Sequence, residues 1–283
     1  MSANNSFSHL TLEERRIILT GITNGSSKTA IAQTIGKDKS TVGKEIKLHR
    51  SLTHKCKMSK KKSKGYKKRV DKKYLQGRTY KDYKLYINEN SNVFVTQMDT
   101  IYNDEINGPF IQTFKFINAG LIFAILHNSK TAESMKQGVD LLESILGTEV
   151  FQIYVHILLT DRGAEFSAAD AIETGADGTR RTRIFYCDPM QSGQKGSLEN
   201  KHIELRYILP KGTDLYASGL TDQDSLNTVL SHVNSAPVEK LGSKSPLDVA
   251  EFMYHDLFEK FETFGLHKIE KDKVVLKPYL LKK

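Results

Sequence analysis

The sequence predicts an α/β protein: a mixed-sheet core preceded by a small all-helical unit and a basic segment. Three observations carry this. Residues 93–161 hold three strand-like apolar runs, one long amphipathic helix and a fourth buried run, in that order. Residues 11–49 break into three short helical stretches, and a Lys-rich run separates the two regions. Short links between the first three strands imply an antiparallel meander, and the helix then returns the fourth strand beside the first.

The bulk properties narrow the class. At 283 residues the chain has room for one large domain and a small one. A hydrophobic content of 39% is enough for a core, which argues against a disordered chain. No apolar run of about 18 residues occurs, so no membrane span is expected. The start, "MSANNSFSHLTLEERR", has no apolar core of signal-peptide type, so secretion is not expected either. Cys56 and Cys187 lie far apart without metal-ligand spacing; neither a zinc site nor a disulfide framework is expected, and a reducing cytoplasm fits.

The net charge of +9 is unevenly placed. Residues 37–84 carry 19 Lys or Arg against 4 Asp or Glu, so the remainder of the chain is net acidic. A basic block beside a mildly acidic body suggests a polyanion-binding arm joined to a domain with another task; a solvated linker is the alternative.

Within residues 1–50, "TLEERRIILTGITNG" opens on a Thr11-x-x-Glu14 capping box and stops at Asn24-Gly25. The next stretch puts Ile31, Ala32 and Ile35 on one face and turns at Gly36. The third restarts with Ser40 as its expected cap and turns Val42, Ile46 and Leu48 inward. A helix, a four-residue turn with glycine and a basic helix form a helix-turn-helix pattern. Lys39, Ser40, Thr41 and Lys44 fall at the start and outer face of the recognition helix, where such side chains reach phosphates and base edges. Residues 51–90 read as a Lys-rich linker able to track DNA without reading sequence. Its Tyr66, Tyr74 and Tyr80 either stack on bases or pack on the next domain.

In the core, "VFVTQMD" (93–99) reads as a strand ending in Asp99. "GPFIQTFKFIN" alternates as a half-exposed strand, and "LIFAILH" is a more buried one. "TAESMKQGVDLLESILG" places Met135, Val139, Leu142, Ile145 and Leu146 on one helix face, and "VHILLT" then delivers Asp161 at a strand end. Downstream, "QSGQKGSLENKHIELRYILPKGTDL" has Gly193 and Gly196 before a helix capped by Ser197, with Glu199 in its first turn and His202 and Arg206 near the same face. Acids from two strand ends and one helix start form a device for two divalent ions at a phosphodiester. Their hard oxygen ligands favour Mg²⁺ or Mn²⁺ over zinc.

These stretches carry a resemblance. "HLTLEERRIILTGITNGSSKTAIAQTIGKDKSTVGKEI", "QMDTIYND", "LLTDRGAEFS", "FYCDPMQSGQKGSLENKHIELRYILPKGTDL" and "LNTVLSHVNSAPVEKLGSKSPLDVAEF" resemble the DDE transposases of the insertion-sequence-thirty family, in that family's order. The resemblance implies a ribonuclease-H-like integrase catalytic core over 91–265, with a C-terminal tail over 266–283. It maps the catalytic and metal-binding acids onto Asp99, Asp161 and Glu199. It also implies a bacterial, cytoplasmic, nucleoid-associated protein that cuts and joins DNA at insertion-sequence terminal repeats and target DNA, as a homo-oligomer. Members of the family carry a longer segment between the helix-turn-helix and the first acid, so this chain reads as an internally shortened copy. The alternative function is a catalytically unproductive DNA binder that represses or inhibits full-length transposase.

The remaining candidates divide. Arg162 either contacts DNA near the scissile phosphate or pairs with a surface acid, and Lys195 and Lys201 flank the Glu199 turn as exposed phosphate contacts or plain surface lysines. His202 is either a core histidine or a DNA contact. Glu165 reads as a loop acid, Asp188 as a turn acid, Asp104 and Glu105 as hairpin residues, and Cys187 as a small buried apolar group. "ADGTRRTR" is a basic turn, either tracking DNA or solvated. Two helices around residues 234–244 close the core, and "KVVLKPYLLKK" forms a strand or a partner-binding tail.

Overall fold

The computed structural model describes residues 10–48 and 72–282. Cys56, Tyr66 and most of the expected linker lie outside the described residues. The chain divides into two compact units, residues 1–68 and 69–283.

In the first unit, α1 (Leu12–Thr23), α2 (Lys28–Thr34) and α3 (Lys39–Leu48) pack around Ile18, Ile31, Ala32 and Val42. The Thr11 capping box forms as read: Thr11 Oγ1 accepts the Glu14 N–H at 3.2 Å, and the Glu14 carboxylate accepts the Thr11 N–H at 2.6 Å. Gly36 turns the chain between α2 and α3 with φ of 60°, a conformation that favours glycine. The cap of α3 differs from expectation. Asp38, not Ser40, does the work: its Oδ1 accepts the Ser40 N–H at 2.7 Å.

The second unit is built on a five-stranded sheet of order β3-β2-β1-β4-β5. It begins with α4 (Tyr80–Glu89), which starts at a Thr79–Asp82 capping box. The expected linker therefore gives way to structure before residue 90: Tyr80, Tyr83, Tyr86 and Ile87 pack on Val95, Ile157, Leu159 and Phe185 of the sheet. Of the two readings for the tyrosines, packing on the next domain holds for Tyr74 and Tyr80.

Strands β1 (Val95–Ile101), β2 (Phe110–Phe116) and β3 (Leu121–His127) form the antiparallel meander. Helices α5 (Ala132–Leu146) and α6 (Thr148–Tyr154) lead into β4 (Ile157–Thr160), which pairs parallel to β1. After α7 (Ala169–Glu173), β5 (Arg183–Tyr186) pairs parallel to β4. Three antiparallel strands followed by two parallel ones on the far side of β1 give the ribonuclease-H-like topology.

Strand β2 was expected to be half-exposed and is buried along its whole length. Helices cover both faces of the sheet, so its polar side chains must find partners inside. Gln112 donates to the Met135 carbonyl of α5 at 3.0 Å. Thr113 bonds His202, and the Lys115 ammonium donates to the Gly120 carbonyl. Burial pushes the Lys115 amine down to about 7, with Lys201 adding to the effect.

The other face is completed by α8 (Gly196–Ile208) and α9 (Gln223–Ser235), followed by α10 (Pro246–Met253) and α11 (His255–Thr263). Ser197, the expected cap of α8, lies inside that helix, which has no side-chain cap. Three helices, not two, close the unit, and Pro246 starts α10 at its first position behind the Ser245 cap. The C-terminal residues form neither a strand nor a free tail: Leu276, Leu280 and Leu281 pack on the core, and the Val275 N–H donates to His232 Nδ1.

Candidate active site

Register brings the first two acids together. In the parallel pair, Val95, Thr96 and Gln97 of β1 face Ile157, Leu158 and Leu159 of β4. Continuing by two residues sets Asp161 beside Asp99, one strand spacing away on the same face. Asp99 is inside β1 rather than at its end, as read from sequence, since the strand runs on to Ile101.

Both carboxylates are oriented. Asp99 Oδ1 accepts the Thr100 N–H at 2.8 Å, and Asp161 Oδ1 accepts the Gly163 N–H at 2.8 Å. Each acid is left with its Oδ2 for another partner, and that partner is shared. Lys195 Nζ lies 2.9 Å from Asp99 Oδ2 and 3.6 Å from Asp161 Oδ2. Lys195 is 5% exposed, against the sequence expectation of a surface lysine. Burial opposes its charge, but the two carboxylates outweigh burial and hold the ammonium above its ordinary value.

Glu199 sits in the first turn of α8, half-buried. That turn is fixed to β1 by Gln97, whose Oε1 accepts the Leu198 N–H at 2.9 Å. Leu198, Lys201, Leu205 and Ile208 bury one stripe of α8, which turns Glu199, His202 and Arg206 along its flank. These three line a groove of about 810 Å³ with Thr100, Tyr102 and Lys211. Among the described residues, no group of three or more His, Cys, Asp or Glu side chains is arranged to hold a metal ion. Asp99 and Asp161 share a counter-charge; Glu199 lies on the adjoining wall.

His202 belongs to the interior side of this wall. Thr113 Oγ1 donates to the Asp99 carbonyl at 3.2 Å and lies 2.9 Å from His202 Nε2. A hydroxyl has one hydrogen, so His202 donates from Nε2. Burial pushes its imidazole down to about 4, which keeps it neutral near pH 7.

In the helix-turn-helix unit, Lys39, Ser40 and Lys44 are exposed, and Thr41 is partly covered. Residues 6–49 match the family model described as a helix-turn-helix domain. The chain is also 36% identical over 88 residues to the transposase for insertion sequence element IS1086 of Cupriavidus metallidurans. Over that stretch the chain is similar to an insertion-sequence transposase. That match spans 31% of this chain and about a fifth, 22%, of the relative's length. Among solved structures, the BIV integrase catalytic core domain aligns at 19% identity and a TM-score of 0.41, over 58% of this chain and 97% of its own. The simian T-cell lymphotropic virus intasome, in complex with a PP2A regulatory subunit, aligns at 13% identity and a TM-score of 0.44, over 82% of this chain and 73% of its own. No helix among the described residues is long and apolar enough to cross a membrane.

Other basic residues singled out from the sequence are already engaged. Arg162 donates to the Cys187 carbonyl at 3.0 Å and pairs with Asp188 at 3.0 Å. Arg206 donates to the Asn103 side chain and to the Tyr102 and Leu209 carbonyls, pinning α8 to the segment after β1. Lys201 is buried and paired with Glu204. In the basic turn, Arg181 is 3% exposed and holds Asp140 at 2.7 Å and Glu143 at 2.8 Å. Cys187 is buried as read, and burial pushes its thiol up to about 11.

Two contributors escaped sequence reasoning. Gln97, two residues before Asp99 and on the same strand face, is the tie to α8; period-two spacing from a candidate acid was the available signal. Gly163 is the other. A β-carbon there would lie 2.5 Å from Glu165 Oε2 and 2.9 Å from Asp161 Oδ1, so any larger residue would have to push the two acids aside. Glu165 is in turn held 3.7 Å from Lys130.

Proposed function

We propose that this chain is a DNA transposase whose acid set is Asp99, Asp161 and Glu199, acting with Mg²⁺ or Mn²⁺, two ions at full loading. What supports this above all is that Asp99 and Asp161, from adjacent parallel strands, aim their free oxygens at one buried positive charge. A site that already neutralises two carboxylates with a cation suits a hard divalent ion in that ammonium's place. The chemistry such ions supply is activation of an attacking hydroxyl and stabilisation of the departing oxygen at a phosphodiester.

The chain's own residues supply placement. The Thr100 and Gly163 amides fix the two strand acids, Gln97 fixes the turn carrying Glu199, and the groove along α8 offers Lys211 to the DNA backbone. The N-terminal unit grips duplex DNA through Lys39, Ser40, Thr41 and Lys44, engaging insertion-sequence ends. The chain acts in the bacterial cytoplasm on the nucleoid, as a homo-oligomer that pairs two ends.

The test is nicking of plasmid-borne element ends with Mg²⁺ by the intact chain and by Asp99→Asn, Asp161→Asn and Glu199→Gln. Each substitution is expected to abolish nicking while leaving duplex binding intact. Unchanged nicking by any one of them overturns the assignment of that acid. The second reading, a catalytically silent DNA binder that represses or inhibits full-length transposase, is favoured by Lys195 already neutralising two of the acids. It predicts specific protection of the ends with no cleavage in any divalent metal.

A further inference from the structure

We propose that Lys195 is a tethered counter-ion that competes with divalent metal for Asp99 and Asp161 and therefore sets the metal affinity of the site. The inference rests on the acid assignment above. Its geometry is specific. Nζ is buried, lies within 4 Å of both free Oδ2 atoms, and has no hydrogen-bond partner elsewhere among the described residues. An ammonium held only by two carboxylates keeps no anchor once another cation takes them.

Lys195 ends a short 3-10 turn, Ser192–Lys195, with Gly193 inside the turn and Gly196 directly after it, and a β-carbon at either glycine would meet nothing within 4 Å. Neither glycine carries a side chain that would have to move with Lys195, and the helix turn beyond stays held at Leu198 by Gln97. The two states are thus an ammonium-neutralised pair of acids and a metal-neutralised pair with Lys195 in solvent. Two like charges brought this close need a counter-cation in either state. Metal binding must therefore overcome the ion pair that it replaces, and removing the tether removes that opposition.

The experiment measures Mn²⁺ binding to the intact chain by the electron paramagnetic resonance signal of free Mn²⁺, without DNA. Lys195→Met is expected to bind Mn²⁺ about tenfold more tightly than the unaltered chain, with a lower melting temperature when metal is absent. Lys195→Arg keeps the charge and is expected to bind no more tightly than the unaltered chain. A second measurement uses no variant. Acylation of amines by acetic acid N-hydroxysuccinimide ester, read by mass spectrometry, should spare Lys195 in metal-free protein and modify it when Mn²⁺ is present. If Mn²⁺ binding depends on Asp99 yet is unchanged or weaker in Lys195→Met, or if Lys195 stays protected with Mn²⁺ bound, the tether is overturned and the acid assignment stands. If Mn²⁺ binding is indifferent to Asp99→Asn, the acid assignment itself falls.

Discussion

Gln97, on β1, accepts the backbone N–H of Leu198 in the first turn of α8 at 2.9 Å, and its amide nitrogen lies 3.5 Å from the Gln194 carbonyl. The first amides of a helix have no partner within the helix, and α8 has no side-chain cap of its own. A neighbouring strand supplies the missing acceptor, and in doing so locks Glu199 to the strand that carries Asp99. Replacing Gln97 with Met keeps the volume and removes the acceptor from a 5%-exposed position. Leaving that buried donor unpaired is expected to cost about 1–3 kcal/mol, read as a lower melting temperature. Mg²⁺-dependent nicking should fall with it, while duplex binding through the N-terminal unit is retained.

Gly163→Ala tests the turn beyond β4. The substitution normally stabilises a chain slightly by restricting its unfolded state. Here the new methyl would sit 2.5 Å from Glu165 Oε2 and 2.9 Å from Asp161 Oδ1, closer than real contacts allow. Steric displacement outweighs the entropy gain, and it falls on Glu165 and on the catalytic candidate Asp161. Nicking is expected to drop by an order of magnitude or more with little loss of thermal stability, because Glu165 and Asp161 are both partly solvent-facing and free to yield. Activity equal to that of the unaltered chain would show that the position of Asp161 is unimportant.

These two residues also show what the sequence made legible. The meander, α5 and the strand delivering Asp161 follow from apolar period and turn chemistry, which are local properties. So does the cap at Thr11. What was hidden depends on cover from elements distant in sequence. Strand β2 alternates polar and apolar residues as an exposed strand does, yet helices cover both its faces: Gln112 bonds α5, Thr113 bonds His202 of α8, and Lys115 bonds the Gly120 carbonyl. Lys195, Lys201 and Arg181 look like surface cations because charge alone does not reveal the carboxylate that will face them. The proximity of Asp99 and Asp161 is a register relation between strands some sixty residues apart: the strand and helix order makes them possible neighbours, and the resemblance joins them with Glu199 in one acid set.

Two half-buried histidines give the protein an acid-side instability. His127 bonds Gln112 under α5, and burial pushes its imidazole from 6.5 to about 4; His202 behaves likewise. Between those values the unfolded chain takes up protons that the folded chain refuses, so stability rises with pH across this window. Acidification from 6.5 towards 4 is therefore expected to lower the melting temperature progressively. His127→Gln keeps a neutral partner for Gln112 and removes one titrating group, so its melting temperature should depend less on pH over the same range. An equal slope in the two proteins would mean that His127 is not desolvated in the folded state.

Binding and folding of the N-terminal unit are separable at two positions, one at the start of α3 and one within it. Asp38 works on the protein itself: its carboxylate caps α3, and the Ser40 hydroxyl and amide hold it below the usual carboxylate range. Asp38→Ala is expected to lower the stability of that unit and to weaken DNA binding only through unfolding, so the loss should recover at lower temperature. Lys44, exposed on the same helix and making no ion pair among the described residues, works on the ligand. Neutralising one phosphate releases about one counter-ion, so Lys44→Ala should leave melting unchanged and reduce the slope of log affinity against log salt by about one. The effect should be the same at any duplex sequence if Lys44 meets phosphate alone, and larger at element ends if it also reaches a base. A salt slope unchanged by Lys44→Ala would take the outer face of α3 out of the DNA interface.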